Sequence, residues 1–288
     1  MSTLGLAPLL VGQMQFRPAN YDNNVSRTLK LFPAGAPAAV IKIPFRGWPV
    51  KFSGDGRSLY AATGQSLVRI DYNPLQSTPV KGTQGFEIVK GFAVTQDNSK
   101  VVISGIHRER GIEKCGLFAI TVSTGVVSRI LGDDCGYQWT WNEVTVSPDG
   151  ARAVAEYGSG HGHRLDLIDL VHGSTKSLGD LSRPTWSPDG RWVAAINWNS
   201  WRLVLLDAND FSHRRDIGST IEAAWSPDSR YLLLWKYRLF KCGFGLDVEP
   251  PASLDILEVA SGKRYAVPSS ECQLVEGPIG WLVGDIHK

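Results

Sequence analysis

The chain has 288 residues, 43% hydrophobic and 20% charged, so it buries a core as one large domain or two small ones and is too apolar to stay disordered. Thirty basic against 28 acidic residues leave a net charge of +2 with no Lys/Arg stripe, which argues against a nucleic-acid partner; no apolar run nears the ~20 residues of a membrane span. Thirty Gly and 16 Pro spread along the chain set many tight turns, and ten Trp against two Met favour rigid packing, so the expected class is all-β.

In chain order, Leu4 to Val11 is short, contains Pro8 and lacks a preceding basic segment, so it does not read as a secretory signal. Leu9–Phe16, Arg27–Phe32 and Ala39–Ile43 are short apolar runs of strand length. A phrase then recurs: Phe52-Ser-Gly-Asp-Gly56, Val94-Thr-Gln-Asp-Asn98, Val146-Ser-Pro-Asp-Gly150, Trp186-Ser-Pro-Asp-Gly190 and Trp225-Ser-Pro-Asp-Ser229. Its Asp residues stand at 55, 97, 149, 189 and 228, giving separations of 42, 52, 40 and 39, close to the spacing of four-stranded propeller blades. Ser, Pro and Gly in that order suit a type I turn, and the Asp carboxylate accepts nearby N–H groups, so the five Asp read as turn caps and not as catalytic acids. Each turn leads into a strand such as Arg191-Trp-Val-Ala-Ala-Ile196 and then a third segment such as Arg202-Leu-Val-Leu-Leu-Asp207. The unit is strand a, turn, strand b, loop, strand c, turn, strand d.

These units resemble the Pro-Asp propeller repeats of the TolB-like family, relatives of WD-repeat blades, over roughly residues 48 to 273. The expected units are 48–90, 91–141, 142–181, 182–219 and 220–273. Gly277–Val283 resembles a strand a, and the three N-terminal runs supply b, c and d, so the expectation is a single six-bladed propeller of four-stranded antiparallel blades, residues 1–47 and 274–288 forming the sixth across the termini. Trp186 and Trp225, at the position where Phe52 and Val146 also occur, read as core.

Cys115 and Cys242 fall between strands b and c of units two and five, and Cys135 and Cys272 fall after strand d of the same units. Those loops leave a blade on one face, so Cys115–Cys135 and Cys242–Cys272 disulfides are expected, and with them a periplasmic or secreted location.

The same face collects the irregular residues. The expected b-to-c loops are Ile106–Arg110, Gly158–Arg164, Asn197–Trp201 and Lys236–Cys242, joined by the d-to-a loop Asp133–Asn142. The candidate ligand-binding residues are Arg108, Trp139, Trp141, His161, His163, Trp198, Trp201 and Tyr237, since Trp, Tyr and Arg dominate binding hot spots. His161 and His163, two apart on an extended segment, suit a shared metal with His107 or Glu143, but a Gly-rich loop is a poorly organised site, so no metal and no cofactor is expected. Asp133, Asp134 and Glu143 are the carboxylates a glycosidase would draw on, although structural Asp is commoner. No G-x-S-x-G, H-E-x-x-H, P-loop or G-x-G-x-x-G pattern occurs, so no catalytic residue is assigned. The TolB-like resemblance implies a non-enzymatic propeller that binds a protein or peptide partner, and a monomer is expected; the alternative is a carbohydrate-binding or carbohydrate-active propeller.

Overall fold

The structure, a computed structural model, describes residues 10–16, 27–32, 39–43, 50–53, 57–63, 66–72, 75–133, 140–159, 162–220, 222–237, 252–266 and 279–282. All regular elements in them are strands, numbered β1 to β24 in chain order. Five blades follow the repeat, each a four-stranded antiparallel sheet in sequence order. Blade 1 is β4 (Val50–Phe52), β5 (Ser58–Ala62), β6 (Leu67–Tyr72) and β7 (Leu75–Pro79). Blade 2 is β8 (Phe86–Val94), β9 (Lys100–Glu109), β10 (Ile112–Thr121) and β11 (Val127–Asp133). Blade 3 is β12 (Thr140–Val146), β13 (Arg152–Ser159), β14 (Gly162–Asp169) and β15 (Thr175–Gly179). Blade 4 is β16 (Leu181–Trp186), β17 (Trp192–Asn197), β18 (Arg202–Asp207) and β19 (Arg214–Ser219). Blade 5 is β20 (Glu222–Trp225), β21 (Tyr231–Tyr237), β22 (Ala252–Glu258) and β23 (Arg264–Ala266).

The expectation of a six-bladed propeller is corrected to five blades. Residues from both chain ends make a further four-stranded sheet, β24 (Ile279–Leu282), β1 (Leu10–Phe16), β2 (Arg27–Phe32) and β3 (Ala39–Ile43), with Leu10 opposite Leu282 and Gln13 opposite Ile279. It lies in the gap between β20 and β4. It is not a copy of the unit: its first two strands belong to opposite ends of the chain, so no a-to-b turn joins them.

In blades 2 to 5 the turn phrase does what its chemistry requires. The Asp97, Asp149, Asp189 and Asp228 carboxylates accept the hydroxyls of Thr95, Ser147, Ser187 and Ser226 and the N–H groups of Ser99, Ala151, Arg191 and Arg230. Asp55 lies outside the described residues. Because each blade is covered on both sides, strand b is a continuous buried run, as in Ser58–Ala62, and does not alternate. Strand d, at the rim, is mostly exposed. Trp186 and Trp225 are buried, and Trp225 Nε1 donates to the Thr185 carbonyl of the preceding blade at 3.0 Å.

Candidate functional site

Strand a bulges near its first residues in three successive blades. The register slips between Phe86 and Ile88 and between Val89 and Gly91 of β8, between Trp141 and Val144 of β12, and between Ser182 and Thr185 of β16. A bulge adds a residue that no ladder partner opposes and re-aims its side chain. Glu143 and Arg183 sit in two of these bulges.

Glu143 Oε2 accepts from Lys51 Nζ at 2.7 Å. Lys51 belongs to β4 and Glu143 to β12, with blade 2 between them in the chain, so the bridge links the a strands of two non-consecutive blades. Burial works against the Lys51 charge, but the Glu143 carboxylate beside it and Glu222 further off outweigh that cost and the repulsion of Arg183, holding the ammonium above the ordinary lysine value. Four a strands thus contribute Lys51 and the three charges that act on it, Glu143, Glu222 and Arg183.

An aromatic shelf is built across blades 3 and 4. Glu156, on β13, is buried; one oxygen accepts the Arg183 N–H at 2.9 Å and the other contacts His163 Nδ1. His163, on β14 opposite Gly158, stacks on Trp198 with ring centroids 3.8 Å apart. Trp198 in turn lies 5.3 Å from Trp201 at 41°. Trp198 is 36% and Trp201 43% exposed, in a chain whose core Trp are buried. Their turn is tied down: Ser200 donates from N and Oγ to Asn197 Oδ1 at 3.0 and 2.9 Å, and Trp201 N donates to the Asn197 carbonyl at 2.9 Å. The arrangement leaves two partly exposed indoles on a support that runs down to a buried carboxylate. Among the described residues no three His, Cys, Asp or Glu groups converge as metal ligands, and no helix is long and apolar enough to cross a membrane.

No protein-family model and no curated protein matches the chain. Solved structures do. TolB from Acinetobacter baumannii is 15% identical with a TM-score of 0.66 over 95% of this chain, which spans 66% of that protein. An oligogalacturonate lyase in complex with manganese is 15% identical with a TM-score of 0.59, covering 88% of this chain and 73% of that one. A chain of a nidogen/laminin complex is 11% identical with a TM-score of 0.63, covering 96% and 98%. At these identities the likeness is one of fold: an all-β propeller of four-stranded blades, similar to TolB.

The expected loops prove shorter than the sequence suggested, because the hairpins run on as strand. Strand β9 continues to Glu109 and β10 begins at Ile112, so only Arg110 and Gly111 turn, both at positive φ (51° and 81°). His107 is therefore in a strand, packed at 4.7 Å from Phe86 and 5.8 Å from Phe118, and Arg108 is an exposed partner of Glu113. Cys115 is inside β10, opposite Asp133, and is disulfide-bonded. His163 sits on strand β14 and not in a loose Gly-rich loop; His161 lies outside the described residues. Trp139, Cys135, Cys242 and Cys272 also fall outside them, while Trp141 and Tyr237 are described in backbone only, in β12 and β21. Of the named residues, the structure brings His163, Trp198 and Trp201 together. Sequence reading missed Glu156, a single acid in a strand b, and the pairing of Lys51 with Glu143. Glu156, directly after the apolar Ala153-Val154-Ala155 run of its b strand, was the one visible signal.

Proposed function

We propose that this is an extracytoplasmic binding propeller that engages a protein or peptide partner through the face of its b-to-c turns and d-to-a loops. The observation that carries the reading is the exposed Trp198–Trp201 pair, seated on an imidazole that a buried carboxylate fixes. Aromatic anchors on a rigid support give large contact area with little rotamer entropy to lose, the character of interface hot spots. The nidogen/laminin complex, one of the similar structures, is consistent with a protein partner. The disulfide at Cys115 favours an oxidising compartment, and its partner in this reading is Cys135, two residues beyond the ladder position opposite Cys115. Peptide mapping without reduction tests that bond.

The test of function is capture from the native envelope fraction by immobilised protein, compared with a Trp198→Ala/Trp201→Ala variant. Capture should be lost while the melting temperature changes little; retained capture would remove this face from the reading. The second reading, a carbohydrate ligand, draws on the same indole faces and on the likeness to the oligogalacturonate lyase. A glycan array read with tryptophan fluorescence separates the two, since only a sugar-binding shelf quenches there.

A further inference from the structure

Among the described residues, five turns close with the same bond, from the N–H of a residue at positive φ to the carbonyl four before it. Gly125, Gly173 and Gly262 occupy that position in three of them, donating to Thr121, Asp169 and Glu258. Phe211 and Trp201 occupy it in the others, donating to Asp207 and Asn197 at φ 61° and 54°. A side chain in this left-handed conformation costs about 1 kcal/mol or more. For Phe211 the compensation is visible: it is buried against Trp186 in the core. Trp201 is 43% exposed, so burial in the core does not offset its strain, and what holds its indole in place is the stack beneath it.

That stack ends on a titratable pair. Resting on the reading of the shelf as a contact surface, we propose that the shelf is proton-gated: protonation of His163, between the Glu156 carboxylate and the Trp198 ring, tightens the stack and fixes Trp198 and Trp201 for contact. The imidazolium gains an ion pair with a carboxylate that is 6% exposed and a cation–π contact with the indole; the neutral ring keeps only a hydrogen bond. Among the described residues, the groups facing His163 are few. Strand β13 supplies Glu156, β16 supplies the Arg183 N–H on the same carboxylate, and the blade 4 turn supplies the uncharged Trp198, whose N–H donates to the Asp180 carbonyl. The neighbouring Arg164 is engaged elsewhere, bidentate on Asp166 and over the Tyr157 ring.

The experiment is a pH titration of the free 5-fluorotryptophan-labelled protein by fluorine NMR, with Trp198 and Trp201 assigned by Trp→Phe substitution. Both resonances should shift together between about pH 5 and 8, the range in which an imidazole changes charge. The transition should vanish in His163→Gln and lose amplitude in Glu156→Gln, which removes the charge the imidazolium would pair with. Resonances that stay flat over that range, or that still titrate in His163→Gln, would overturn the proposal. Because no partner is present, this result is independent of the capture test, and loss of the contact reading would leave the titration intact.

Discussion

The His163 and Trp198 rings, 3.8 Å apart, come from different blades: His163 from β14 of blade 3 and Trp198 from the turn after β17 of blade 4. The shelf is therefore a product of how blades stack, and neither blade alone contains it. Its lower anchor crosses the same boundary, since Glu156 of blade 3 holds the Arg183 N–H of blade 4.

The strain argument gives a paired prediction. Trp201→Gly should leave stability unchanged or raise it slightly, because Gly adopts the left-handed turn at no steric cost and little core is lost. Phe211→Gly relieves the same strain but empties a buried ring, and should cost about 3 kcal/mol. Chemical denaturation of the two variants measures both; a large loss for Trp201→Gly would mean that its ring is a structural element.

The Lys51–Glu143 bridge should couple weakly despite its short distance. Both side chains are about a third exposed, so a double-mutant cycle with Lys51→Met and Glu143→Gln should return about 0.5–1 kcal/mol. The Lys51 value is raised in the folded chain, so its contribution is complete below the ordinary lysine value of 10.5 and is lost only as pH rises through the higher folded value. The coupling should thus be constant from pH 6 to 9 and fall in stronger alkali.

Arg214 and Arg264 carry a device that recurs at the rim. The c–d ladders of blades 3 and 4 slip between Leu165 and Asp166 and between Leu203 and Val204, leaving Leu178 and Ile217 as the extra residues of strand d. Arg214 Nη2 donates to the Leu178 carbonyl at 2.8 Å, and Arg264 Nη2 donates to the Ile217 carbonyl, each from the next blade. Arg214→Ala should cost about 1 kcal/mol by unfolding measurements, with Arg214→Lys recovering part of it.

How much of this was legible follows from the range of the forces involved. The Ser-Pro-Asp turns are local: hydroxyl, carboxylate and two N–H groups lie within five residues, so the phrase alone located the a-to-b turns and the strands around them. The burial of Trp186 and Trp225 followed from their equivalence within that repeat. Hairpin length was not readable, because Arg110-Gly111 closes a two-residue turn inside a run of polar residues that looks like loop. Nor was the Glu156–His163–Trp198 stack, whose members are joined by blade packing and not by spacing. The five copies of the phrase matched five blades, and the sixth was inferred from edge strands with no phrase to support it.

Acid should weaken the protein through the turn carboxylates. The Ser147 hydroxyl and the Ala151 N–H hold the Asp149 carboxyl below the usual value of 3.8, and the Thr95 hydroxyl and the Ser99 N–H do the same for Asp97. A group whose folded value is depressed contributes in full above its unfolded value and loses that contribution as pH falls through the folded one. The wild-type melting temperature should therefore hold down to about pH 4 and fall below it. An Asp97→Asn/Asp149→Asn variant should melt a few degrees lower at pH 7 and show a flatter decline below pH 4, so that the two curves converge in acid. Parallel curves would mean that these carboxylates are not coupled to folding, and that the turns are held by their backbone bonds alone.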